Sequence, residues 1–345
     1  MGRSAGVAEG TKSARTGLKA IAVLCSLATV IGAAPLSRHH HHRHRHHHST
    51  SPIRWPSGAF AGSGKALKEF GKWRGQPIGV AHRFAASHAW SDIELSTLST
   101  KFGYRKRLVI SIAMLPTTDP TASIELGASG AYNDRWRVAA QRLVAGGMGN
   151  AIIRPGWEFN QKWPAWAARS DPEAYAGYFQ QIVKAMRSVP GQAFRFNWCL
   201  SASYYGWDPR TAYPGDAYVD MVGLDQYDGW YNHPSATPQE RWNFILHSVG
   251  GGAEGGLTFW AKFARQHRKP LALSEWGLTN KYAHMAGPRG GGGGDDPFYI
   301  RRMHRWLASH NIAYEAYLDS NAPDGHHKLR GGEFPKATAV YRALW

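Results

Sequence analysis

The chain has 345 residues, 43% of them hydrophobic, and carries 41 Lys and Arg against 24 Asp and Glu, a formal net charge of +17. This excludes a short disulfide-stapled scaffold and a wholly disordered chain, and it suits one large core in a single domain. The charge is uneven: residues 1–54 hold eight Lys/Arg and one acid, a net +7, and the remaining 33 basic and 23 acidic residues carry +10. Those later basic residues are scattered and no nucleic-acid motif accompanies them, so the charge points to polyanionic or cell-surface surroundings rather than nucleic-acid readout.

Arg3, Lys12, Arg15 and Lys19 precede the apolar run "AIAVLCSLATVIGAA" from Ala20 to Ala34, the pattern of a secretory signal over residues 1–37. Fifteen residues fall short of the ~20 that a spanning helix needs. Export with cleavage is therefore expected, and an uncleaved anchor is the alternative because Pro35 suits a cleavage site poorly. Leu24 before Cys25 argues against a lipoprotein, and loss of Cys25 with the leader would strand Cys199 without a disulfide partner. The tract "RHHHHRHRHHH" offers nothing apolar to bury, so residues 38–54 read as a disordered linker, with metal capture or a pH-dependent positive patch as the functional alternatives.

From Trp55 the pattern changes. Strand-like runs are expected at 57–62, 77–84, 107–115, 150–159, 193–201, 219–228, 270–278 and 312–320. Helix-patterned stretches lie between them at 65–73, 132–146, 171–187, 239–248 with 257–268, and 297–309, and a last one closes the chain at 335–345. Asp171-Pro172 and Asp296-Pro297 supply an N-cap followed by proline at the first helical position. Eight strands alternating with helices predict an α/β (β/α)8 TIM barrel, a single domain over residues 55–345. A doubly wound open sheet fits less well, because the strand count is too high and no glycine-rich phosphate loop is present.

Barrel active sites collect at the carboxyl ends of the strands. The fourth run, "NAIIRPGWEF", ends on Arg154, Trp157 and Glu158, with Asn160 just beyond, and the seventh, "PLALSEWGL", brings Glu275. Strands four and seven face each other across the mouth. Two carboxylates roughly 5–5.5 Å apart are what glycoside cleavage with retention requires, one as proton donor and one as nucleophile. A salt bridge between Glu158 and Arg154 is the plainer alternative. Rings suited to stacking on sugars crowd the following loops: Trp90, Trp163, Trp166, Tyr204, Tyr205, Trp207, Trp230, Tyr231 and Trp276. Asp225 and Asp228 are expected either to bind hydroxyls or to support neighbouring loops. His82 and Arg83 are open between a distal subsite and packing, as are Asn197 and Asp319. Outside the His tract no cluster has zinc or calcium spacing, so catalysis without metal or cofactor is expected. "GPRGGGGGDDP", residues 287–297, reads as a mobile loop, either a lid or a slack connection.

Three blocks, "IIRPGWEFNQKWPAW", "YPGDAYVDMVGLDQYD" and "KPLALSEWGL", resemble glycoside hydrolase family 26, the barrel glycanases that include β-mannanases. The resemblance implies a secreted, metal-free retaining hydrolase acting within β-linked chains. It makes Glu158 the acid/base, Glu275 the nucleophile and Tyr227 a partner that orients the nucleophile. Mannanases of the family usually carry histidine just before the acid/base, so Trp157 argues against plain mannan as substrate. The expected partner is a polysaccharide, with no nucleic acid, a membrane contact only through an uncleaved anchor, and a monomeric state. A carbohydrate-binding barrel without catalysis and an exo-acting enzyme on bacterial exopolysaccharide remain as alternatives.

Overall fold

The computed structural model describes residues 53–98, 107–203, 206–229, 233, 235–250, 253–280, 291–322 and 325–345. The expected leader, the His/Arg tract and the rings of Tyr204, Tyr205, Trp230 and Tyr231 lie outside the described residues. Eight parallel strands close on themselves: β1 (Ser57–Phe60), β2 (Val80–Phe84), β3 (Arg107–Ile112), β4 (Ile152–Pro155), β5 (Arg195–Ser201), β6 (Met221–Tyr227), β7 (Leu271–Gly277) and β8 (Ile312–Leu318). Each pairs with its neighbours in sequence, and β8 returns to β1 with Ser57 opposite Glu315 and Phe60 opposite Leu318. The barrel expected from the alternation of strands and helices is present.

The helices are α1 (Gly64–Arg74), the short α2 (Trp90–Ile93) and α3 (Ile124–Ala128), α4 (Asn133–Ala145), α5 (Pro172–Arg187), α6 (Pro238–His247), α7 (Gly256–Gln266), α8 (Pro297–Ala308) and α9 (Pro335–Leu344). Both expected caps are made. The Asp171 carboxylate accepts from Ala174 N–H at 2.8 Å, and that of Asp296 accepts from Phe298 and Tyr299 N–H at 2.8 and 3.1 Å. Outward strand residues and inward helix faces form the larger apolar core, which includes Trp136, Trp198, Trp260, Trp276 and Trp345. A smaller cluster, Val80, Val109, Ile152, Met221, Ala272, Tyr314 and Ala316, fills the lower part of the barrel interior.

Above that layer the interior turns polar. Asn197 donates to the Ser274 hydroxyl, and Tyr314 donates to it from the other side, at 2.7 and 3.0 Å. Asn197 so fills the interior that a Cβ on Gly223 would lie 2.1 Å from its Oδ1, which is why β6 carries glycine there. Asn197 is thus a packing residue.

Three local departures from the sequence reading shape the mouth. First, β4 ends at Pro155, four residues earlier than expected. Gly156 turns the chain at φ 54°, where a Cβ would sit 2.2 Å from Met114 Sδ. Second, around Ser274 β7 has one more residue than the facing stretch of either neighbour: Leu273 and Glu275 pair with the consecutive Leu224 and Asp225, while Leu273 and Trp276 face Glu315 and Tyr317 on β8. This is a β-bulge around Ser274, and bulges re-aim side chains beside active sites. Third, the described glycines after β7 are held, not slack. Gly292 bridges Gly229, and Gly293 and Gly294 N–H donate to the Asp228 and Thr279 carbonyls at 3.1 and 2.8 Å. A Cβ on Gly293 would meet Asp228 Oδ2 at 1.7 Å, so this stretch is glycine for close approach. Residues 287–290 of the expected loop lie outside the described residues.

Candidate active site

Arg154 is the hub of the polar upper interior, with no solvent exposure. One terminal nitrogen donates to the Ser111 hydroxyl at 3.0 Å, lies 3.5 Å from His82 Nε2 and reaches Glu275 Oε2 at 3.4 Å. The other pairs with the Asp225 carboxylate. Burial alone would depress the guanidinium, but Asp225 foremost, and Cys199 and Glu275 behind it, raise it well above its ordinary value, so Arg154 stays a cation. The same burial, helped by Arg154, pushes His82 well below its ordinary value, and His82 is neutral; its Nε2 lies 2.8 Å from Ser111 Oγ. His82 is therefore part of the site floor rather than of a distal subsite.

Glu275 stands above this hub. The Tyr227 hydroxyl donates to its Oε1 while Arg154 approaches its Oε2, so each carboxylate oxygen has a donor. Such bonds, one on each oxygen, fix the orientation of the carboxylate. Burial pushes the Tyr227 hydroxyl well above its ordinary value, and Glu275 pushes it further, so it remains a donor. Sequence reading missed His327, whose ring lies 4.5 Å from that of Tyr227 and whose Nδ1 is 2.6 Å from the Leu278 carbonyl oxygen. Its distance in sequence from every motif left no signal.

Glu158 lies beyond β4, in the turn that Gly156 begins, so the two-residue alternation of a strand does not relate it to Arg154. It has φ 50°, a left-handed backbone unusual for a side chain of this kind. Its N–H donates to the Cys199 carbonyl of β5 at 3.0 Å, which fixes the turn against the next strand. The negative charges of Glu275 and Glu158 both add to the burial that raises Asp225, against the opposing pull of Arg154. Glu158 adds likewise to the rise at Tyr227. The two glutamates thus act on the same small set of groups at the mouth.

The aromatic set divides. Trp163 is 58% exposed at the rim, within 6.2 Å of the half-buried Trp157 and 6.0 Å of Trp166, whose N–H donates to the Trp157 carbonyl. Trp157 also packs on Phe84 at 5.4 Å and lies 5.8 Å from the Arg154 guanidinium. Trp207 is half-buried and donates to the Asn160 carbonyl at 3.1 Å. Trp276 corrects the expectation of a ring at the mouth. It is fully buried on the outer face of β7, donates to Glu315 at 2.6 Å and packs against Trp345, because the bulge that turns Glu275 inward turns its neighbour outward. Asn160 is likewise buried, exchanging hydrogen bonds of 2.8 and 3.0 Å with the Ser201 backbone, and so it ties the β4 turn to β5. The Trp90 indole is occupied by Asp119, at 2.9 Å.

The remaining acids are supports. Asp228 and Asp296 clasp Arg241 at 3.1 and 2.6 Å, which joins the end of β6 to the start of α8. Asp319 accepts from Arg330 at 2.6 Å.

The geometry defines the class as a (β/α)8 barrel with glutamates at the ends of its fourth and seventh strands. Within that class, residues 131–240 match the model of Glycosyl hydrolase family 26, a segment that contains Arg154, Trp157, Glu158, Asp225 and Tyr227 and stops before Glu275. The resemblance to that family, read from the three motifs, stands. The chain is 28% identical over 184 residues to Endoglucanase H of Acetivibrio thermocellus, a match covering 50% of this chain and 19% of that protein. The chain thus aligns with about a fifth of that relative. Solved barrels share the fold: a family 26 β-mannanase from Bacteroides ovatus (TM-score 0.56, 13% identity, 85% of this chain and 89% of that one). The catalytic domain of a family 26 endo-β-1,4-mannanase from Bacillus sp. JAMB-750 is similar too (TM-score 0.56, 17% identity, 86% and 88%).

Proposed function

We propose that the chain is an exported, retaining glycoside hydrolase that cleaves β-linked polysaccharide within the chain, with Glu158 as acid/base and Glu275 as nucleophile. The observation that carries this reading is the unequal setting of the two glutamates. Glu275 receives a donor on each oxygen, from Tyr227 and Arg154, and Glu158 stands on a turn at the same mouth.

In the first step the Glu158 carboxyl gives its proton to the glycosidic oxygen as Glu275 attacks the anomeric carbon from the opposite face. The bond to the leaving sugar breaks and a glycosyl ester forms on Glu275. Glu158, now a carboxylate, takes a proton from water, whose oxygen attacks the anomeric carbon and releases Glu275. Two inversions give retention. Tyr227 and Arg154 hold the nucleophile in place and receive its charge back when the ester breaks. The exposed Trp163, beside Trp157, offers an apolar face to a sugar ring in the next subsite.

Substrate choice turns on Trp157. An indole offers one donor and a large apolar face where a histidine would read a particular hydroxyl, and stacking discriminates weakly between epimers. A preference for plain β-mannan is accordingly lost, and the endoglucanase among its relatives supports a β-glucan backbone as substrate. Incubation with mannans, β-glucans, xylans and exopolysaccharides, with products read by size, tests this: internal cuts in a glucan support it, and preference for β-1,4-mannan contradicts it. Trp157→His should move the preference toward mannan. Azide should rescue Glu275→Ala with an inverted glycosyl azide and Glu158→Ala, on an activated substrate, with a retained one; the same stereochemistry from both would reverse the assignment.

A further inference from the structure

The end of the barrel opposite the mouth carries a second built feature. The helices that lead from one barrel strand to the next, α1, α4, α5, α7 and α8 among them, run back to that face, and their C-termini gather there. Lys or Arg stands in the last turn of α1, α4, α5, α7, α8 and α9. Compensation of the helix dipole accounts for those charges, but its reach ends with the last turn. Arg268 and Lys269 lie beyond the end of α7 and cap it, their N–H groups donating to the Arg265 and Ala264 carbonyls at 3.1 and 2.8 Å.

These two residues and Arg265 line a depression of about 400 Å3 between the C-terminal ends of α7 and α8, floored by Leu271 at the start of β7. Arg265 and Arg268 are exposed, and among the described residues neither makes an ion pair. Asp216 is paired with His267 at 2.8 Å and accepts from Lys269 through its backbone carbonyl at 2.7 Å. Arg268 keeps its side chain at φ 54°, a conformation that Gly or Asn adopts at less cost. The opposite wall is polar: Asn311 and His310, whose ring stacks on Trp306 at 4.3 Å with Nδ1 2.7 Å from the Trp306 carbonyl oxygen. That wall suits hydroxyl groups, and the other suits an anion.

We propose that this depression is a non-catalytic binding site for an anionic polysaccharide, one acidic sugar unit seated with its carboxylate or other anionic group on Arg265 and Arg268 and its hydroxyls on Asn311 and His310. A site here leaves the mouth free, since β7 separates Leu271 from Glu275, and it would hold the protein on an acidic matrix while the mouth works on a neighbouring chain. A membrane surface fits less well, because the exposed large apolar side chains among the described residues, Leu126 and Trp163, are not in this pocket.

Affinity electrophoresis of the full chain in gels containing polygalacturonate or dextran tests the proposal. Polygalacturonate should retard the wild type and dextran should not. Arg265→Gln/Arg268→Asn, which suits the left-handed backbone at 268, should weaken retardation roughly tenfold. Lys65→Gln/Lys336→Gln makes the same change in net charge elsewhere and should leave retardation as it was. Cleavage of a short soluble glycoside should be equal in all three proteins. Equal loss in both double variants, or no retardation of the wild type, overturns the proposal. So does binding of a DNA duplex with the same dependence on Arg265 and Arg268 and greater strength, which would make the site one for nucleic acid.

Discussion

The ends of β4 and β7 each deliver a glutamate to one mouth, by opposite means. At β4 the strand stops short and a turn through Gly156 carries Glu158 past the sheet on a left-handed backbone. At β7 the strand continues and an extra residue rotates Glu275 inward. The strand-borne carboxylate is gripped by two donors from β4 and β6, and the turn-borne one is fixed through its backbone to β5. A nucleophile must be held still, whereas an acid/base must exchange protons with a leaving group and then with water, and the two backbones suit the roles proposed for Glu275 and Glu158.

The largest expected effect tests that division directly. Glu275→Gln and Glu158→Gln should each lower turnover on a natural glycan by about 10³-fold or more while leaving the circular dichroism spectrum unchanged. With an activated leaving group, Glu158→Gln should recover much of its first-step rate and Glu275→Gln none; recovery by both would erase the comparison.

Next comes the hub. Arg154→Met would leave Asp225 buried without its cation, and should cost about 3–5 kcal/mol in urea unfolding, with activity lost. Arg154→Met with Asp225→Leu should regain much of the stability and none of the activity. Tyr227→Phe removes one donor from Glu275 and should lower kcat about 10–100-fold with little change in stability. An unchanged kcat would mean that the β7 glutamate does not depend on its clamp.

The fold was legible because period-two apolar runs alternated with capped helices, and those signals are local. Glu158 and Glu275 were legible as strand-end carboxylates in a repeating plan. What could not be read were features fixed by contact. The bulge around Ser274 depends on the register of two neighbouring strands, and so Trp276 was expected at the mouth when it lies in the outer core. Asn160 reads as a polar loop residue until β5 brings the Ser201 backbone to it. The glycines at 292 and 293 read as slack until Asn280 and Asp228 are seen against them.

Two smaller effects sharpen the comparison. Glu158→Gly should abolish activity yet unfold at or above the wild-type temperature, because relief of the left-handed backbone, about 1–2 kcal/mol, exceeds the chain entropy that glycine adds. A clear loss of stability would show that the Glu158 side chain holds the turn. Near the β7 loop, burial, opposed by Arg241 and assisted by Asp296, raises Asp228 to about 7. The folded form then binds more protons than the unfolded one between about pH 4 and 7, so stability should fall as pH rises through that window. Asp228→Asn should flatten that slope; an unchanged slope would place the titration elsewhere.

The central claim is that Glu275 forms the covalent bond to the sugar. A 2-deoxy-2-fluoro glycoside of an accepted sugar, with a good leaving group, slows release of the glycosyl ester so that the labelled peptide can be read by mass spectrometry. The account predicts one fluorosugar per chain, on the peptide from β7 and attached to Glu275, with no label in Glu275→Gln. Label on Glu158 or Asp225, or turnover with inversion and no label at all, would contradict it.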